Sequence, residues 1–256
     1  MSTPTVRPTA RTDIGTDGTS PVASPVAIVT GASQGLGLAL AETLADRGWA
    51  LVIDARRSER LDAAVARLAT RTTVIGVAGD VTDTAHRAEL ARVAASLGTV
   101  GLLVNNASTL GASPLPALDA IDPETFLRTF DVNVVAPLAL VHDLGELLDE
   151  RATVVNMTSD AAVEPYRGWG GYGSSKAALE HASRILAVER PDLRVLVVDP
   201  GDMRTEMHQD AFPGEDISDR PEPETRVPAL VALIEGDLPS GRYEASAFVA
   251  AGSRQP

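Results

Sequence analysis

From Val26 onward, short apolar runs alternate with stretches of helical period. The runs "VAIVT", "ALVID", "TVIGVA", "GLLVN", "TVVNM" and "RVLVV" are rich in Val, Ile and Leu and are apolar at nearly every position. A strand with one wet face alternates; a strand covered on both faces does not. Between the runs, the pattern predicts helices at 35–47, 58–69, 84–97, 123–148 and 172–189. Strand and helix in alternation predict one α/β domain, a Rossmann-type doubly wound parallel sheet with helices on both faces. The stretches Phe126–Leu148 and Ala177–Val188 are apolar on nearly every side. Such helices are buried in a core or at a subunit contact, so they predict a homodimer.

The flanks differ. Residues 1–24 are rich in Thr, Ser, Pro and Gly and read as a disordered tail without the apolar block of a signal peptide. The domain then covers 25–250, with residues 251–256 as a flexible end. Within it, 202–223 is a long acidic loop broken by prolines, the composition of a lid or binding loop. The formal charge is −13 and basic runs are absent, which disfavours a nucleic-acid partner. The chain has no cysteine, which excludes disulfides and thiolate chemistry and fits a cytoplasmic setting. No apolar run reaches the length of a membrane helix. The four histidines, His86, His142, His181 and His208, lack paired metal spacing, so no metal is expected; His86 and His181 read as surface residues.

The chemistry gathers where strands end. After the first strand comes "TGASQGLG", with Gly31, Gly35 and Gly37 at a strand-to-helix turn. Glycines there let backbone N–H groups approach a pyrophosphate at a helix N-terminus. The spacing departs from G-x-G-x-x-G, and a loop with three convenient glycines is the competing reading. Farther on, "GWGGYGSSKAAL" places Tyr172 and Lys176 four apart, on one helix face. An ammonium beside a phenol favours the phenolate and lowers its pKa toward working pH, which a general acid/base requires. The glycines around Tyr172 leave its ring accessible from a cleft. Pro137 lies four residues after Asn133 and has no N–H, so the Asn133 carbonyl loses its helical partner and becomes free to hold water near Lys176.

Taken together, "TGASQGLG", "NNAS" at Asn105–Ser108, Ser159, "YGSSK" at Tyr172–Lys176 and "PGDMRT" at Pro200–Thr205 resemble the short-chain dehydrogenase/reductase family over about Val26–Thr205. Ser108 departs from that pattern, which has glycine there; its side chain narrows the loop or sets a hydroxyl near substrate. The resemblance implies hydride transfer between a nicotinamide cofactor and a carbonyl or secondary alcohol. It implies Tyr172 as proton donor, Ser159 holding the substrate oxygen, and Lys176 and Asn133 completing a catalytic set. It implies cofactor contacts from Thr30, Gly31, Ser33, Gly35, Leu36, Gly37, Asp80, Val81, Asn105, Ala107, Tyr172, Lys176, Pro200, Gly201 and Thr205, with Asp80 on the adenine and Thr205 on the carboxamide.

The second strand ends "IDARR". An acid there binds the ribose 2′-hydroxyl of NAD, and an arginine accommodates the 2′-phosphate of NADP. By the family's alignment the acid's place is Ala55 and the arginine's is Arg56, with Arg57 adding charge. NADP(H) is therefore favoured, and NAD(H) stays open through Asp54. Asp83 or Thr82 is the better helix cap, which leaves Asp80 for the cofactor. Met203, Met207 and Phe212 suggest an apolar wall with Trp169 opposite. The expected partner is a small carbonyl or alcohol, and acidity near the lid disfavours a polyanion. The C-terminal segment lacks the family's glycine-rich ending, so a homodimer fits better than a homotetramer. The competing functions are an NAD-dependent alcohol dehydrogenase and a catalytically silent nucleotide sensor.

Overall fold

The structure is a computed structural model that describes residues 24–248. The expected tail at 1–24 and the end at 251–256 fall almost wholly outside the described residues. Seven strands form one parallel sheet: β1 (Val26–Val29), β2 (Ala50–Ala55), β3 (Val74–Ala78), β4 (Val100–Asn105), β5 (Leu148–Met157), β6 (Arg194–Asp199) and β7 (Gly241–Glu244). Their spatial order is β3-β2-β1-β4-β5-β6-β7. The helices are α1 (Gly35–Asp46), α2 (Ser58–Leu68), α3 (Thr84–Leu97), α4 (Pro123–Phe130), α5 (Ala136–Leu144), α6 (Gly170–Glu189), α7 (Glu206–Ala211) and α8 (Val227–Glu235).

Two apolar layers explain the unbroken apolarity of the strands. Ala27, Val29, Leu51 and Ile53 pack with α1, α2 and α8. Val26, Ile28, Val52 and Leu103 pack on the other face with Leu90 of α3 and Leu140 and Leu144 of α5. Every β1 side chain is fully buried, and burying a Val or Ile contributes about 1.5–3 kcal/mol. The order reverses between β1 and β4, and ligands in such sheets bind beyond the strand ends at that crevice.

One helix expectation fails. The stretch 123–148 is not a single helix. Asp122 caps α4 by accepting from Thr125 N–H, 3.0 Å, with Pro123 in the first turn. A π-helical turn follows at Asp131–Val135, then α5, a short turn, and β5 already at Leu148. In the π register the Ala136 N–H reaches the Asp131 carbonyl, five residues back. In that register the missing N–H of Pro137 falls opposite Val132, next to Asn133.

Candidate active site

A cleft of about 1080 Å³ opens along the C-terminal edge of the sheet. Its walls include Gly31, Ser33, Gly35, Leu36, Arg56, Asp80, Val81, Ala107, Ser159, Tyr172, Lys176, Pro200, Gly201 and Thr205. Thus most of the candidate residues, though they come from six strand ends and α6, share one cavity. Thr30, Gly37, Asn105 and Asn133 stand behind its wall rather than in it.

The glycine turn is built for close approach. Gly31 and Gly35 have φ of +66° and +56°, a conformation that favours glycine. A Cβ at Gly37 would meet Asn106 Nδ2 at 2.5 Å and the Gly31 carbonyl at 2.6 Å. Asn106 in turn donates to the Thr30 carbonyl (2.9 Å) and the Gly31 carbonyl (3.2 Å). The Thr30 hydroxyl accepts from the N–H groups of Asn106 and Ala107, both 3.0 Å. These bonds fasten the loops after β1 and β4 to each other from behind the turn. Thr30, Gly37 and Asn106 therefore shape the cradle from behind. Residues present here fit a dinucleotide: a glycine-rich turn at a helix N-terminus, at the switch point of the sheet.

Asp54 lines the cleft, but both of its carboxylate oxygens are engaged within the protein. Its Oδ1 accepts from Gly31 N–H at 2.7 Å, and its Oδ2 lies 3.0 Å from Nε2 of His86. Burial raises its pKa, against the pull of these partners. His86 was expected at the surface but is only 7 % exposed. The correction has a steric reason: Gly79 has no Cβ, and the His86 ring fills the space one would need. A buried acid in β2 had to have a partner. Asp83 is the cap of α3, accepting from Ala85 N–H at 2.8 Å, so Asp80 is not that cap. Asp80 accepts from Thr82 N–H (3.0 Å) and hydroxyl (2.8 Å) and pairs with Arg128. His181 is exposed, as expected.

Tyr172 and Lys176 share a face of α6, with the Lys176 Nζ 5.4 Å from the centre of the phenol ring. Lys176 is 2 % exposed, and Nζ donates to the Met157 carbonyl at 2.8 Å. Burial lowers its pKa to about 7. Tyr172 is 8 % exposed and lines the cleft with Ser108 and Ser159. Its pKa is raised, first by burial and then by the charge of Asp199. The expectation of a lowered phenol pKa is thus corrected for the ligand-free protein: desolvation outweighs an ammonium that is itself losing its charge. The glycines also act differently from expectation. Gly173 packs so tightly on the Ala161 carbonyl that a Cβ would collide with it, so glycine brings α6 against the Ser159 loop. Trp169 meets the Tyr172 ring edge-on, with centroids 5.7 Å apart.

Asn133 is fully buried, and its side chain makes four hydrogen bonds. Oδ1 accepts from the Ser108 hydroxyl (3.0 Å) and Thr109 N–H (2.9 Å); Nδ2 donates to the Thr109 carbonyl and Ser175 Oγ, both 2.9 Å. Ser108, the departure from the family pattern, therefore bonds the π turn to the loop after β4, on the cleft that also holds Tyr172. Asn105 donates to Asn156 Oδ1 at 2.8 Å, and its own Oδ1 is buried without a partner. Thr205 caps α7, accepting from His208 N–H at 3.2 Å. Met203 and Met207 line the cleft, but Trp169 and Phe212 are neighbours at 5.9 Å rather than opposing walls.

The family model for short chain dehydrogenase matches residues 25–216. The chain is a short-chain dehydrogenase. It is 36 % identical over 187 residues to serine 3-dehydrogenase of Rhizobium radiobacter, covering 70 % of this chain and 72 % of the relative. It is 33 % identical over 204 residues to sepiapterin reductase of Xenopus tropicalis, covering 74 % and 78 %. Among solved structures, an alcohol dehydrogenase from the archaeon Thermococcus sibiricus complexed with 5-hydroxy-NADP superposes with a TM-score of 0.77 at 26 % identity, over 86 % of this chain and 95 % of that one.

Sequence reasoning missed several groups of this dehydrogenase. Gln34, Arg60 and Glu206 form a cluster over the glycine turn: Gln34 donates to Glu206 at 2.7 Å, and Arg60 grips both its carboxylate oxygens at 2.9 Å. These bonds hold the Glu206 carboxyl down at about pKa 2. Asp199 and its partners, described below, were also missed. One available signal went unused: Lys176 is the only lysine in the sequence, every other such cation being arginine. Among the described residues, no cluster suits a metal and no helix is long and apolar enough to cross a membrane.

Proposed function

We propose that this dehydrogenase transfers a hydride between NADP(H) and a carbonyl or secondary alcohol, with Tyr172 as the acid/base. The observation that carries the reading is the meeting of Tyr172, Ser159 and Lys176 in the same cleft as the glycine turn. The bound nicotinamide supplies the hydride in reduction and accepts it in oxidation. In reduction, Tyr172 gives its proton to the substrate oxygen while the carbonyl carbon takes the hydride. Burial keeps the phenol protonated in the ligand-free protein, which suits that direction. Ser159 holds the oxygen in place as a preorganised donor. Lys176, poised near neutrality, returns a proton toward the phenol. Gly31, Ser33, Gly35, Leu36, Asp80, Val81, Ala107, Pro200, Gly201 and Thr205 would hold the cofactor from the cleft wall, while Thr30, Gly37, Asn105 and Asn133 brace that wall.

The preference for NADP(H) rests on the charges at its ribose end. Asp54 is occupied by Gly31 and His86, while Arg56 and Arg57 are exposed at the cleft. An arginine fork suits a phosphate. A homodimer fits the apolar side chains left uncovered on α4 and α6, with Leu127 65 % and Val188 80 % exposed. The test is to incubate the protein with NADPH or NADH and a panel of carbonyls while following cofactor absorbance. Turnover with NADPH that disappears in Tyr172→Phe supports the proposal. Intact turnover in that variant, or strong preference for NADH, overturns the corresponding part.

A further inference from the structure

Behind Tyr172 lies a buried charge network that the reaction scheme above does not use. Asp199 ends β6, one residue before the Pro200–Gly201 turn, and Glu180 lies on α6 one turn beyond Lys176. Both carboxylates are more than nine-tenths buried. One guanidinium serves both. Arg242 of β7 places Nε 3.0 Å from Glu180 Oε1 and Nη2 3.2 Å from Asp199 Oδ2, and its Nη1 reaches Glu244 at 2.8 Å. Each acid also grips backbone or side chain at the site. Glu180 accepts from the Thr158 hydroxyl at 2.8 Å, next to Ser159, and Asp199 Oδ1 accepts from Gly201 N–H at 2.9 Å. Arg184 adds a distant contact to Glu180, 3.7 Å.

We propose that Arg242 is a positioning residue for the reaction: through Glu180 and Asp199 it fixes the Ser159 loop, α6 and the Pro200–Gly201 turn together, and it sets the negative charge facing Tyr172. The inference rests on Tyr172 being the proton donor. Three carboxylates surround Arg242, and Arg184 touches only Glu180, so the network is short of positive charge and loss of Arg242 leaves the buried Asp199 without its cation. The other groups around the phenol are Lys176 on its own helix, Asp160 and Ser159 after β5, Ser108 after β4, and His208 of α7 on the same cleft. Arg242 is the cation that bridges both buried acids, while Lys176 is engaged by the Met157 carbonyl.

The experiment reads the phenol and needs no turnover. The protein is made with ring-fluorinated tyrosine, which brings phenol ionisation into a gentler pH range, and the Tyr172 signal among the three tyrosines is assigned with Tyr172→Phe. Asp199→Asn keeps the acceptor for Gly201 and removes the charge; its Tyr172 midpoint falls by about half a pH unit or more, a roughly threefold change in proton affinity. Arg242→Gln moves the midpoint the other way, and Arg242→Lys, which keeps the charge, stays near the parent. Should Arg242→Gln not fold, Asp199→Asn alone decides. A midpoint unmoved by Asp199→Asn, or moved in the same direction by both variants, overturns the proposal. NADPH binding and turnover, measured on the same samples, test the proposed function separately.

Discussion

Lys176 offers a direct test of the site's electrostatics. Its pKa falls from 10.5 to about 7 because the ammonium is buried. The unfolded chain keeps the ordinary value, so above pH 7 the unfolded state binds a proton that the folded state has released. Stability therefore rises with pH from about 7 toward 10.5, and the burial penalty is fully felt below 7. Integrating a folded pKa of about 7 between pH 7 and 9 gives about 2 kcal/mol from this one group, at 1.36 kcal/mol per unit. The assay is urea unfolding of the ligand-free protein at pH 6, 7, 8 and 9, for the parent and Lys176→Met. Methionine leaves the Met157 carbonyl without its donor, which shifts all pH values alike, so the pH dependence is compared and not the absolute stability. The parent gains about 2 kcal/mol relative to the variant from pH 7 to 9. Because Lys176 is the only lysine, lysine labelled with ¹⁵N at Nζ reports its ionisation without ambiguity. A midpoint near 10 and parallel stability curves would refute the reasoning.

Other perturbations probe the rest of the molecule. Arg56→Ala should lower the NADPH/NADH ratio of kcat/KM by about tenfold or more, the worth of a charge-assisted hydrogen bond to phosphate; an unchanged ratio removes Arg56 from cofactor selection. Gly173→Ala forces a methyl onto the Ala161 carbonyl and should cost about 1–3 kcal/mol despite alanine's better helix propensity, read from the urea midpoint. Glu206→Gln releases Arg60 and Gln34 from the carboxylate over the glycine turn and should tighten NADPH binding with little effect on NADH, measured by cofactor fluorescence. Val188→Glu with Leu127→Glu should halve the solution mass if the exposed faces of α4 and α6 pair; a monomeric parent at micromolar concentration excludes the dimer.

The sheet was legible because parallel strands have no wet face: each unbroken run of Val, Ile and Leu became a strand. The site's members were legible because chemistry sits at strand ends, so "TGASQGLG", Ser159 and "YGSSK" fell into one cleft. What periodicity could not give was the break at Asp131–Val135, since a π turn keeps the same composition as the helices around it. Nor could it give His86, whose burial depends on the absent side chain of Gly79 across another loop. The ionisation of Tyr172 was misjudged for a related reason. Spacing reveals a neighbouring ammonium but not the depth at which both groups are buried. Arg242 was invisible because its partners lie on two other elements, 43 and 62 residues away.

The contact of Gly173 with the Ala161 carbonyl separates two kinds of residue in this cavity. The spacing of the Ser159 and Tyr172 hydroxyls is set by main chain against main chain, with no side chain between that mutation could swap. Leu110, Ala112, Met203 and Met207 line the same cavity on loops that take no part in that contact. New substrate shapes can therefore be accommodated by recutting those loops, while the reacting frame stays as rigid as the backbone that defines it.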